Sequence, residues 1–309
     1  MKLARVTFLG VRGLNDATYD LLSAGTGLPH DLVVVTGGSG SGKTRFLEAI
    51  ALAKEIVAPY GVMPSPTGWL QGAGEAAKIV LTWFLNEEER AAAGVAEALA
   101  TTEALLLEDA IRADIDDGVQ AVLERYEHDG TRGKLEYFPW DRRLVGYGNS
   151  VGLEEMEQQL YRASNDPRKY SFLPRFFGAL RKETAMAEYF STLLSYLSNT
   201  VRYVAPGPER EAWECLSSRG ASPVAAHQLS SAEGDAVVFA ATAALTQLSH
   251  SLVLVDRPDL HAEPARVHAF VAALGTSLGV QNQLIVTSQS RELLSAIDPA
   301  QVIRLDAAG

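Results

Sequence analysis

The chain has 309 residues, 47% of them hydrophobic and 21% charged, which suits a globular protein with a sizeable core in one α/β domain or two smaller ones. The single cysteine, Cys215, excludes an internal disulfide or a cysteine-based zinc cluster and fits a reducing compartment. No apolar run approaches the roughly 20 residues of a membrane helix, and MKLARVTFLGVRGL alternates instead of forming a signal-peptide core, so a cytoplasmic location is expected. The net charge is −11, and residues 86–129, with thirteen Asp/Glu against three Arg, carry −10 of it. A face so acidic repels phosphate backbones and points to a protein partner, not nucleic acid.

In chain order, residues 1–9 read as a strand, with Leu3, Val6 and Phe8 set among polar neighbours. LVVV at 32–35 is a short apolar strand of the kind a parallel sheet buries on both faces. TGGSGSGKT follows, then a helix with Phe46, Leu47, Ile50 and Ala51 at helical spacing. Residues 59–74 are dense in Pro and Gly and predict a loop, and AKIVLTWFL at 77–85 predicts another strand. From Asn86 to about Asp129, Ala, Glu and Leu predominate, and two or three helices broken at Gly94 and Asp117-Gly118 are expected. KLEYFPW reads as a strand, VGYGNS at 145–150 as a turn, and MAEYFSTLLSYLSN at 186–199 as a helix. Beyond the loop around APGPER, α/β order returns: helix at SAEGDAVVFAATAALTQL, strand at SLVLVD, helix at PARVHAFVAALGTSL, strand at NQLIVTSQ, short helix at SRELLSAI and last strand at QVIRLD.

Gly37, Gly38, Ser39, Gly40, Ser41, Gly42, Lys43 and Thr44 satisfy GxxxxGK[ST] in full, between an apolar strand and a helix. The glycines let backbone N–H groups curl around a phosphate, and the helix N-terminus adds partial positive charge. Lys43 reaches the β- and γ-phosphates and the Thr44 hydroxyl ligates Mg²⁺ in such sites. Arg45 adjoins this nucleotide-binding set. In the C-terminal third, LVLVD supplies a buried strand ending in Asp256, suited to holding a Mg²⁺ shell, QLSSAEGD opens a helix upstream of it, and LIVTSQS ends another strand.

In this order the motifs resemble the ABC-type ATPases of the SMC, RecF and overcoming-lysogeny-defect group. GVRGL (10–14), GGSGSGKT (37–44), LSSAE (229–233), DRPDLHAEP (256–264) and TSQS (287–290) carry the resemblance, which covers roughly 1–56 and 225–309. It implies an ATPase head, α/β with a mainly parallel sheet, made of an N-terminal lobe (1–85) and a C-terminal lobe (201–309); the resemblance does not cover the middle, where composition predicts a mainly helical insertion (86–200). It implies ATP and Mg²⁺ as ligands, with Thr44 and Asp256 on the metal. Arg12 matches the family arginine near the phosphates. Ser230, with Ser231, Ala232 and Glu233, matches the signature that contacts nucleotide bound by a second head in a homodimer or heterodimer. Ala232 replaces the signature glycine.

Two positions depart from the pattern. Arg257 stands where the family carries the glutamate that polarises the attacking water, and an arginine stays protonated and offers no acceptor. Gln289 stands at the switch histidine; it can hydrogen-bond phosphate or orient water but cannot take a proton. Binding positions survive while catalytic ones have changed, so slow or absent hydrolysis is expected, with Asp259 or Glu233 as the substitute base if turnover is retained. His261 and His268 sit beside only scattered carboxylates, and packing or a dimer contact suits them better than a metal. A competing reading, a DNA-dependent ATPase, rests on residues 161–182, where six Lys/Arg and five aromatics face a single acid, a mix that binds single strands or packs inward.

Overall fold

The computed structural model describes residues 1–61, 68–72, 75–142, 144, 155–204, 216–218, 228–279 and 281–306. The turn expected over 145–150, the APGPER loop and Cys215 lie outside the described residues.

Where one mainly parallel sheet was expected, the described residues form two five-stranded sheets, one antiparallel and one parallel. Strands β1 (Lys2–Leu9), β2 (Ala17–Asp20), β4 (Ala77–Phe84), β5 (Leu99–Leu106) and β6 (Ile111–Asp114) make the antiparallel sheet, in the order β2-β1-β4-β5-β6. Strands β3 (Leu32–Gly37), β7 (Leu135–Phe138), β10 (Leu252–Val255), β11 (Gln283–Thr287) and β12 (Val302–Leu305) make the parallel one, in the order β12-β3-β11-β10-β7. A small ribbon pairs β8 (Val201–Tyr203) with β9 (Leu216–Ser218).

Helix α1 (Lys43–Val57) lies between the two sheets, with eleven of its residues from Phe46 to Val57 buried. The period of two in the strands explains the layering. Val33, Val35, Leu252, Leu254 and Ile285 face α1, whereas Val34, Val253, Val255, Leu284 and Val286 face the opposite side. That second face packs against α5 (Leu173–Leu180), α6 (Thr184–Leu197), α7 (Ser231–Thr246), α8 (Val267–Ser277) and α9 (Arg291–Ala296). On β4, Ala77, Ile79, Leu81 and Trp83 alternate inward to meet α1 from the other sheet.

The acidic segment corrects the sequence reading in part. It holds two short helices, α2 (Glu87–Ala93) and α3 (Asp117–Leu123), capped by Asn86 and Asp116, but β5 and β6 run between them. LATTEALL has helix-forming Ala and Leu, yet Thr102, Ala104 and Leu106 face inward, Trp83 Nε1 donates to Thr102 Oγ1 at 3.0 Å, and β5 pairs with β4 from Ala77↔Leu106 to Phe84↔Leu99. Pairing and burial override the propensity. β7 likewise joins the parallel sheet beside β10, so strands within 86–200 are built into both five-stranded sheets.

Residues 161–182 turn their aromatics inward. Tyr170, Phe172, Phe176 and Phe177 are buried, as are Arg162 and Lys169. Glu136 of β7 pairs with both cations: Arg162 Nε lies 3.3 Å and Lys169 Nζ 3.0 Å from its carboxylate, and all three side chains are fully buried. Gln158, from α4 (Glu155–Leu160), reaches the same carboxylate and meets His128 Nε2 at 3.1 Å. No helix among the described residues is long and apolar enough to cross a membrane.

Two outcomes follow from this buried charge. Glu136→Ala strands two cations in the core, and the unfolding free energy falls by about 3–5 kcal/mol in denaturant titrations; a loss below about 1 kcal/mol contradicts the arrangement. Burial, then the Arg162 charge, push the His128 imidazole down from 6.5 to about 4. Between those values the unfolded chain binds a proton that the folded chain does not. Stability present above pH 6.5 is therefore lost as the pH drops toward 4, by on the order of 3 kcal/mol. His128→Gln removes this share of the loss, read as a smaller difference between urea midpoints at pH 7 and pH 4.5.

Candidate nucleotide site

The loop between β3 and α1 carries the phosphate-binding motif. Gly42 is the N-cap of α1 at φ 88°, and a Cβ there would stand 2.4 Å from the Gly13 carbonyl oxygen. Only glycine meets both demands. The close approach sets residues 12–14 of the GVRGL turn against the loop. Lys43 Nζ donates to the Gly37 and Gly38 carbonyls at 3.0 and 2.7 Å, folding the loop around its own lysine. The Ser41 hydroxyl is buried behind the loop.

A cavity of about 630 Å³ opens beside it. Of the residues expected at the site, Arg12, Ser39, Gly40, Gly42, Lys43, Thr44, Arg45, Arg257 and Gln289 line it. Gly13, Glu48, Gly68 and Ser288 also contribute. Gly37, Gly38 and Ser41 shape the loop without reaching this wall. Arg45 is fixed from behind: its guanidinium lies 3.5 Å from the centroid of Trp69, its Nε donates to the Arg12 carbonyl at 3.2 Å and Nη2 to the Gly68 carbonyl. Burial, then the neighbouring Arg257 charge, lower the Lys43 pKa, with Asp256 and Asp259 opposing. Four cationic side chains thus surround one opening, a field that an anionic ligand relieves.

At its base the Thr44 hydroxyl donates to Asp256 Oδ2 at 2.7 Å, and the Thr287 hydroxyl donates to Oδ1. Asp256 is fully buried at the end of β10. A threonine hydroxyl beside a carboxylate is a hard-oxygen set that suits Mg²⁺ held jointly with phosphate oxygens. Among the described residues no group of three or more His, Cys, Asp or Glu is placed to hold a metal ion. The cradle, the cations and this oxygen pair fit Mg²⁺–ATP.

Arg257 occupies the left-handed region at φ 51°. Main-chain contacts hold it there: its N–H donates to Thr287 Oγ1 at 2.9 Å, and its carbonyl accepts from Arg142 Nη2 at 3.1 Å. The side chain is exposed on the cavity wall. Gln289 Nε2 donates to the Gly37 carbonyl at 3.0 Å. Asp259 does not line the cavity; it sits behind Ser288, whose hydroxyl donates to its Oδ2 at 3.0 Å.

The signature residues are elsewhere. Ser230 caps α7, its hydroxyl donating to Glu233 Oε2 at 2.8 Å while its N–H donates to the same oxygen at 3.0 Å, a capping box that also takes Glu233 away from any role as base in this cavity. Ser230, Ala232 and Glu233 line a second cavity of about 360 Å³, and Ser231 lies exposed beside them. His261 Nδ1 meets Asp235 Oδ2 at 2.9 Å, while His268 on α8 is exposed.

Arg142 joins the two regions. Its guanidinium makes a fork with Asp235 of α7, at 3.3 and 3.0 Å, and Nη1 donates to the Asp256 and Pro139 carbonyls at 2.7 Å. Sequence reasoning missed Arg142, Thr287 and Glu48. Two of these carried a signal: Thr287 opens the TSQS motif, and Glu48 follows Thr44 by four residues and hence shares its helical face.

No protein-family model matches the chain, and no curated protein matches it significantly in sequence. Solved structures do match in fold. An SMC head bound to the C-terminal winged-helix domain of ScpA aligns over 98% of this chain and 93% of its own, at 14% identity and a TM-score of 0.58. An SMC head with an extended coiled coil, bound to the C-terminal domain of ScpA from Pyrococcus furiosus, aligns over 98% and 92%, at 12% identity and a TM-score of 0.57. The SMC head of Thermotoga maritima aligns over 96% and 93%, at 14% identity and a TM-score of 0.50. In architecture, then, the chain is similar to the ATPase heads of SMC proteins.

Proposed function

We propose that this protein is an ATP-binding, ABC-type ATPase head that works as a nucleotide-dependent dimerisation switch, hydrolysing ATP slowly or not at all, and that it regulates a protein partner. One observation carries the reading: the phosphate cradle and the Thr44–Asp256 pair are intact, whereas the residue after Asp256 is an arginine facing the same cavity. Bound Mg²⁺ would neutralise phosphate charge. Lys43, Arg12 and Arg257 would hold the triphosphate, and Arg257 would favour the ATP-bound state through a charge-assisted contact. With neither a glutamate at 257 nor a histidine at 289, no group at these two positions takes the proton of the attacking water.

The separation of Ser230 from the phosphate cavity supports a two-headed arrangement, because a signature that faces a different opening serves nucleotide held by another copy. A homodimer that turns over slowly and a heterodimer with a competent second head both meet this geometry. SMC heads of similar fold are bound to ScpA, and the acidic segment 86–129 is the surface we assign to a protein partner here. The DNA-dependent reading loses its main support, since four of the five aromatics proposed to stack on bases are buried. A cytoplasmic setting fits this reading.

Turnover is the test. The wild type binds ATP, sediments as a larger species with ATP than without, and hydrolyses less than about one ATP per minute, beneath the roughly 1–10³ s⁻¹ of ordinary enzymes. Arg257→Glu gains at least about tenfold in turnover, the scale expected for restoring a general base. Wild-type turnover of several per minute or more overturns the slow switch. Absence of ATP binding overturns the nucleotide reading altogether.

A further inference from the structure

We propose that Glu48 is a second carboxylate of the Mg²⁺ site, holding water of the ion's hydration shell from the α1 side of the phosphate cavity. The inference rests on the Mg²⁺–ATP reading above and deepens it. No motif of the chain assigns Glu48 a role.

Thr44 and Glu48 are four residues apart on α1 and therefore share a helical face, and both line the phosphate cavity. Burial raises the Glu48 pKa against the Asn165 hydrogen bond and the Arg45 charge, and the charge of Asp256, hydrogen-bonded to Thr44 at 2.7 Å, adds to the rise. A carboxylate in such a place ordinarily takes a tight cationic partner, and the one Glu48 has among the described residues, Arg45, pairs with it only loosely. Its nearest guanidinium nitrogen, Arg45 Nη1, lies 3.9 Å from Oε2, at the limit of an ion pair, because Arg45 is committed to Trp69 and to the Arg12 and Gly68 carbonyls. What Glu48 does have is an orienting amide: Asn165 Nδ2 donates to Oε1 at 3.0 Å. Oε2 is left for a cation or a cation-bound water.

A second observation comes from the same layer: Tyr137 pairs with Leu254, two residues before Asp256, on the face of the sheet that α1 covers. Tyr137 of β7 is 1% exposed, and its hydroxyl, buried, has no hydrogen-bond partner among the described residues. Burial, then the charges of Asp256 and Glu48, push its pKa well above the usual phenol value. A buried hydroxyl on the α1 face of the sheet, with its donor unspent among the described residues, is a place for an ordered water. Mg²⁺ binds through one or two carboxylates, substrate phosphates and several retained waters. Asp256, Glu48 and a water held by Tyr137 supply that set.

The test reads metal dependence of nucleotide binding, not turnover. A fluorescent ATP analogue is titrated against wild type, Glu48→Gln, Glu48→Asp and Tyr137→Phe, in EDTA and across a Mg²⁺ series. In Glu48→Gln the Mg²⁺ concentration giving half of the metal-dependent affinity gain rises about tenfold or more, the usual effect of losing an outer-shell ligand. Its affinity in EDTA stays the same or tightens, because a negative charge has left the phosphate cavity. Glu48→Asp falls between wild type and Gln, and Tyr137→Phe shifts the Mg²⁺ midpoint in the same direction. An unchanged midpoint in Glu48→Gln overturns the proposal, as does an equal loss with and without Mg²⁺, which marks a structural role. Wild type that binds the analogue with no response to Mg²⁺ overturns the metal site while leaving ATP binding standing. Wild type that binds no analogue at all overturns the nucleotide reading and this inference together.

Discussion

The burial of α1 on both sides is the constraint from which the rest of the architecture follows. A helix of fifteen residues with eleven of them buried must have apolar surface above and below, and only two sheets provide it here. The parallel sheet has to be apolar on both faces, one for α1 and one for the outer helices, which is why its strands are short unbroken runs such as LVVV and LVLV. The antiparallel sheet has one buried face and alternates accordingly. Because the N-terminus of this trapped helix carries the phosphate loop, the packing that stabilises the fold also sets the position of Lys43, Thr44 and Glu48 against Asp256.

Much of this was legible in sequence, and where it was not the reasons are physical. The glycine loop, the strand ending in Asp256 and the capped start of α7 each depend on local chemistry, and each lies where the pattern put it. The acidic segment did not read true because Ala, Glu and Leu carry a helical bias that LATTEALL overcomes only by pairing with β4, a contact more than twenty residues away for Thr102 and Leu81. Residues 161–182 were ambiguous because stacking and packing ask for the same aromatic side chains; burial decided for packing. Arg142 had no signature at all. Its importance comes from where three carbonyls and one carboxylate converge, and that convergence exists only in the folded chain.

The site also shows how differently its parts are held. Asp256 has both carboxylate oxygens hydrogen-bonded to threonines, one from α1 and one from the end of β11, so it is oriented before any ligand arrives. Lys43 and Gln289, by contrast, rest on carbonyls of the phosphate loop that a ligand would displace. On the proposed reading, a rigid acid and a movable cation or amide would give a pocket whose oxygen ligands are preset and whose phosphate contacts reorganise on binding.

The left-handed turn at Arg257 has a bearing on descent. Its conformation is secured through its own N–H and carbonyl, by Thr287 and Arg142, while its side chain projects freely into the opening. The groups that hold residue 257 are main-chain ones, although its left-handed φ of 51° still disfavours β-branched side chains there. A lineage of such heads could exchange the group at this one position, and with it the fate of the bound triphosphate, without any compensating change in the cradle. Gly42 allows no such freedom, since both its backbone angle and the nearby Gly13 carbonyl forbid a side chain. The loop geometry at Gly42 admits one residue type, whereas the contacts that hold residue 257 are blind to most side chains.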